Sequence, residues 1–136
     1  MYELEMNGQV VNLNFGMGFL REINRTVSAP VKGLNGTTQN LGLRYMIARL
    51  IDSDVEALAE VIDLSNKGCT PRISKADIDS FIENEETDID EVFEKVLGFL
   101  KRANATRKVA LNVIEEVEKE RAKQEAQEKM KQEAMM

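Results

Sequence analysis

The 136-residue chain has no histidine and no tryptophan, one cysteine and two prolines. Without histidine, the serine, cysteine and threonine mechanisms that use imidazole as base are excluded. Without tryptophan there is no indole to stack on a sugar, and nothing singles out a glycosidase-style pair among the carboxylates. Cys69 stands alone, so it forms no intrachain disulfide and belongs to no thiolate cluster for zinc, which suits a reducing cytoplasm. No apolar run approaches the roughly 18 residues of a membrane span. The opening "MYELEMNGQ" has neither the basic nor the apolar region of a signal peptide.

What is present describes a globular domain with a modest core: 43% of residues are apolar and 31% charged. Net charge is −6 with a pI near 4.8. That balance disfavours nucleic acid, whose affinity comes from Lys and Arg neutralising phosphates, and it disfavours anionic membranes.

"MYELEMNGQVVNLNF" reads as a β-hairpin over 2–13, because Asn7-Gly8 is a favoured type I′ pair between two alternating runs. A two-residue loop pairs Met6 with Gln9, Leu4 with Val11 and Tyr2 with Leu13. It thereby puts Tyr2, Leu4, Val11 and Leu13 on one face and Glu3, Glu5 and Asn12 on the other. The period then becomes helical. Phe19, Leu20, Ile23 and Val27 form one stripe, and Pro30, Gly33 and Asn35-Gly36 mark a mobile surface loop.

A second helix carries Leu43, Met46, Ile47, Leu50 and Ile51, with Gly42 near its start. Ser53 as N-cap with Glu56 opens a third, whose buried stripe is Val55, Leu58, Ala59 and Ile62. Asn66 and Gly68 supply residues tolerant of the left-handed conformation at its end, and Pro71 blocks continuation. Ser74 with Asp77 caps a short helix with Ile78, Phe81 and Ile82 inward. Thr87 with Asp90 opens a longer one with Ile89, Val92, Phe93, Val96, Leu97 and Leu100 inward, stopping near Asn104 despite Gly98. Val109, Ala110, Val113, Ile114 and Val117 begin the last helix. Residues 118–136 hold five bases, five acids and no Ile, Leu, Val or Phe, so they read as an exposed, fraying helical tail.

The fold class is therefore mainly α (α+β): an N-terminal hairpin, a compact bundle of about five to six helices and a charged helical C-terminal extension. Residues 1–117 form the domain and 118–136 the tail.

Chemistry concentrates in "CTPRISKADIDSFIENEETDIDE". Cys69 has Lys67 and Arg72 nearby, yet no partner base for a nucleophile, and it reads as a loop cysteine. From Asp77 to Glu94 run nine carboxylates with no Lys or Arg. An EF-hand frame starting at Asn84 puts acids at positions 3, 5 and 7 but Ile89 at the glycine position and Lys95 at position 12. No metal, cofactor or catalytic residue is assigned. Asp77, Asp88 and Asp90 suit the first turns of helices, and Met6, Met17 and Met46 suit core packing. Glu83, Glu85, Glu86, Asp88 and Asp90 form an acidic edge facing solvent or a partner, able to steer basic groups.

The assembled order is hairpin, "FGMGFLREINR", "LGLRYMIARLIDSDVEALAEVIDLSNKG" and "PRISKADIDSFIENEETDIDEVFEKVLGFLKRANATRK". It resembles the tail assembly chaperones of long-tailed bacteriophages and prophages of Gram-positive bacteria, over roughly residues 2–117. The resemblance implies a non-enzymatic chaperone in the host bacterial cytoplasm, absent from the mature virion. Such proteins bind the helical tape measure protein, keep it soluble and yield to tail tube protein. Many also exist in a longer form made by ribosomal frameshifting, whose extension recruits that tube protein. Acidity alone also fits an export chaperone or adaptor, or a DNA mimic that inhibits a DNA-binding protein.

Overall fold

The chain turns back on itself at Asn7 and Gly8, whose φ values of 51° and 76° are those of a type I′ turn. In this computed structural model, which describes residues 1–26 and 41–135, the turn joins β1 (Tyr2–Met6) to β2 (Gln9–Leu13). The register is the expected one, Met6 opposite Gln9, Leu4 opposite Val11 and Tyr2 opposite Leu13. Leu4, Met6, Val11 and Leu13 are buried, Tyr2 is half-buried, and Glu3 and Glu5 are exposed. Two strands alone are marginal in water, and this apolar face closes against helices.

Those helices are α1 (Met17–Thr26), α2 (Leu41–Ile51), α3 (Val55–Asn66), α4 (Lys75–Glu83), α5 (Ile89–Arg102) and α6 (Arg107–Ala134). One core runs through all of them, with Ile23, Met46, Ile47, Leu58, Ile62, Val96 and Leu100 sealed from solvent. Val27 and the Pro30, Gly33 and Asn35-Gly36 loop lie outside the described residues.

α1 meets α2 so closely that a Cβ on Gly42 would stand 2.4 Å from the Ile23 carbonyl oxygen. The glycine near the start of α2 is what lets the two helices touch. Asn24 completes the contact by accepting the Leu43 backbone N–H (2.9 Å), one of the donors in the first turn of α2 that have no partner within the helix.

Two helix starts differ from the expected ones. Ser53 is not the cap of α3: its φ of 59° places it as the left-handed residue that ends α2. The Ser53 N–H donates to Leu50 O and the Asp54 N–H to Arg49 O, the bond pair of a Schellman ending. Asp54 is the cap, its carboxylate accepting the N–H groups of Glu56 and Ala57. Likewise Asp88, not Thr87, caps α5 through the Glu91 N–H, while the Thr87 hydroxyl donates to Phe81 O at 2.8 Å. In both places two polar residues stood side by side, and the spacing was one residue out. The capping box of Ser74 and Asp77 on α4 is present as expected.

The buried face of α3 is also rotated from the expected stripe. Ala57, Leu58, Val61, Ile62, Ser65 and Asn66 point inward, whereas Ala59 is half-buried and Val55 is 45% exposed. Asn66 is the last helical residue rather than a left-handed one, and Gly68 (φ 85°) takes that role. The Asn66 amide donates to Asn12 O and Pro71 O, and its oxygen accepts from Ile73 N–H and the Arg72 guanidinium. One buried side chain thus ties the hairpin, α3 and the following loop together, and it leaves none of its own polar atoms unsatisfied.

Phe15, Phe19 and Phe99 close the other end of the core, with Tyr2 stacked on Phe99 at 4.9 Å and Phe15 edge-on to Phe19 at 5.0 Å. α6 packs on α2 and α5, burying Ala110 and Val113. Beyond Val117 every described residue of α6 is exposed, yet the helix continues without a break to Ala134. Burial ends there, not the helix.

Candidate functional site

Glu83 closes α4, Glu85 and Glu86 occupy the turn, Asp88 caps α5 and Asp90 lies in its first turn. All five are exposed, and the fold gathers them on one short link. Asn84 shapes that link by accepting the Glu86 N–H through its side chain and the Thr87 N–H through its carbonyl, both at 3.0 Å. Among the described residues none of the five is in a salt bridge. Glu91 differs, holding Lys95 at 2.9 Å one turn later, and that bond raises the Lys95 pKa. No group of three or more Cys, Asp or Glu among the described residues is arranged to hold a metal ion.

Cys69 is buried, with its thiol 3.7 Å from the Ser65 carbonyl. It packs beneath the turn rather than standing in an open loop. Met6 and Met46 are core residues, whereas Met17 is 50% exposed and lines a hollow with Tyr2, Phe15 and Asn104.

The feature that sequence reasoning missed is a groove between α3 and α4. Its main hollow, about 570 Å³, continues into a smaller one of about 230 Å³ with which it shares Glu56, Ala59 and Asp79. Val55, Ala59, Leu64, Ile78 and Ile82 supply the apolar lining. Glu56, Glu60 and Asp63 line the α3 bank, Asp79 and Glu83 the α4 bank, and Lys67 and Lys75 close the far end.

Part of this charge is already satisfied. Asp63 binds Arg72 at 2.9 Å, and Lys67 binds Glu22 at 2.8 Å; the latter bond is the first cause of a lowered Glu22 pKa. Glu56, Glu60, Asp79 and Glu83 are in no salt bridge among the described residues. The sequence did hold a signal: Val55 and Ala59 stand one turn apart between acids, a second apolar line that a single-faced helix does not need.

An open apolar trough with an acidic rim is suited to binding a polypeptide, and the fold is that of a small, mainly helical α+β protein. The family described as phage tail assembly chaperone protein, TAC, matches residues 3–115, most of the chain. The chain belongs to that family, so its role is that of a chaperone in phage tail assembly. No curated protein and no solved structure matches it. Among the described residues, no helix is long and apolar enough to cross a membrane.

Proposed function

We propose that this chain binds the phage tape measure protein in the host cytoplasm, keeps it soluble, and releases it as tail tube protein polymerises around it. The chaperone leaves before the virion is complete, and neither nucleic acid nor membrane takes part. The chain also helps recruit tail tube protein, a step in which a longer, frameshifted form would take part if one is made. The observation that carries this reading is the family match over residues 3–115.

The structure supplies suitable means. A tape measure protein is long and mostly helical, so it exposes apolar stripes before assembly, and a groove between two helices can cover such a stripe. The acidic edge of Glu83, Glu85, Glu86, Asp88 and Asp90 adds negative potential that draws basic segments and keeps the complex dispersed.

Co-expression with the large protein encoded beside this gene is the test. The tape measure protein stays in the supernatant with this chain and sediments without it; a tape measure protein equally soluble alone removes the reading.

A further inference from the structure

The α3–α4 groove is electrically polarised along its length. At the end formed by the start of α3 and the end of α4 stand Glu56 and Glu83, with Glu60 one turn further along α3 and Asp79 one turn back along α4. At the opposite end stand Lys67 and Lys75. Glu22 already engages Lys67 and Arg72 engages Asp63, so among the described residues the rim charges outside any salt bridge are the four acids, of which Glu60 also feels Arg49, and Lys75 at the far end. Between the ends Ala59, Leu64 and Ile78 give an apolar floor between the charged banks, and at the acidic end Val55 is 45% exposed.

The twelve residues of α3 span about 18 Å, the length of a helix of roughly three turns. A strand is a poor fit. Among the described residues the trough has no sheet edge to pair with, because β1 and β2 form a separate two-stranded sheet.

We propose that this groove docks one amphipathic helix of about three turns in a fixed sense. Its apolar i, i+3/i+4, i+7 stripe lies on Val55, Ala59, Leu64 and Ile82, and its Lys- or Arg-bearing end lies against Glu56, Glu60, Asp79 and Glu83. Charge complementarity selects a basic helix over an acidic one, and Lys75 at the far end sets the direction. The inference rests on the tape measure reading for its natural occupant, and it assigns the docking surface to α3 and α4 rather than to the Met17 hollow. The groove lies beside the acidic link and shares only Glu83 with it.

Two synthetic fourteen-residue helical peptides test it, both with the same leucine stripe, one carrying three lysines at one end and the other three glutamates there. The lysine peptide shifts backbone amide resonances along α3 and α4. A nitroxide on its lysine end broadens those of Glu56 and Glu83, and one on its other end broadens those of Lys67 and Lys75. The glutamate peptide binds at least tenfold more weakly.

Glu56→Lys with Asp79→Lys, both exposed positions on opposite banks, weakens the lysine peptide at least tenfold with the circular dichroism spectrum unchanged, and Met17→Lys does not. Equal affinity for the two peptides, shifts centred on Met17 and Asn104, or insensitivity to the double reversal overturns the inference. If the double-reversed chain still solubilises the tape measure protein fully, the groove is not the docking site while the chaperone reading stands. If the peptide docks as stated but the tape measure protein is soluble alone, the groove stands and the chaperone reading falls.

Discussion

Asp54 does two things at once, which is why it outweighs its neighbour Ser53. Its carboxylate takes two free N–H groups at the start of α3 and also holds the Arg49 guanidinium at 2.8 Å across the α2–α3 corner. The Arg49 bond, followed by those backbone donors, holds the Asp54 pKa below its ordinary 3.8. A carboxyl whose pKa is lowered by folding stabilises the native state above its unfolded pKa. That contribution is lost as pH falls through the folded value.

Asp54→Asn keeps a capping oxygen but loses the ion pair, and should cost about 0.2–1 kcal/mol at neutral pH, as partly exposed pairs do. The gap between wild type and variant, followed by urea unfolding, should close as pH drops from about 5 towards 2. A gap independent of pH would show that the pair contributes nothing. Neither Asp54 nor Asn66 was legible in its actual role. Of the four hydrogen bonds of Asn66, those to Pro71, Arg72 and Ile73 are local, but the one to Asn12 depends on a hairpin returning to α3 across more than fifty residues, which no local window contains.

At the scale of elements, hydrophobic period and turn chemistry carried most of the architecture, because both are local. The Asn-Gly turn set the register of β1 and β2, and the apolar stripes located α2, α4 and α5. What failed was rotational phase and the meaning of a glycine, and both depend on which helix lies opposite. Gly42 and Gly98 read alike in sequence. Gly42 has the α1 backbone where its Cβ would go, while Gly98 has only the far end of Arg102 at 3.9 Å.

Alanine should therefore act with opposite sign at the two positions. Gly42→Ala should destabilise by about 1–3 kcal/mol through overpacking. Gly98→Ala should stabilise by about 0.5–1 kcal/mol through helix propensity. Thermal unfolding of both variants checks the pair, and a stabilising Gly42→Ala would mean that α1 and α2 do not meet this closely. The same dependence on pairing hid the candidate groove. Val55 and Ala59 fit the apolar stripe of an isolated helix, yet Val55 is 45% exposed and Ala59 half-buried where α3 meets α4.

For the whole molecule, the order of elements was more informative than any one motif. Hairpin, helices and acidic link in that sequence pointed to the tail assembly chaperones, and the family match over residues 3–115 establishes membership. The acids of the link were legible because their run lacks a base, and their common exposure follows from α4 ending and α5 beginning within a few residues. Their role was less legible, since a run of acids serves capping as well as recognition. Asp88 does cap α5, so a test of recognition must preserve that cap.

The most direct measurement is the affinity of the purified chain for tape measure protein as a function of salt. It should be made for the wild type and for a variant with Glu83, Glu85 and Glu86 changed to Lys and Asp88 and Asp90 to Asn, since asparagine caps a helix as well as aspartate does. Wild-type affinity should fall as salt rises, because screening shortens the reach of the acidic edge. The variant should bind at least tenfold more weakly at low salt and lose most of that dependence. Equal affinities and equal salt slopes in the two proteins would contradict the account and leave the acidic edge as solvated surface.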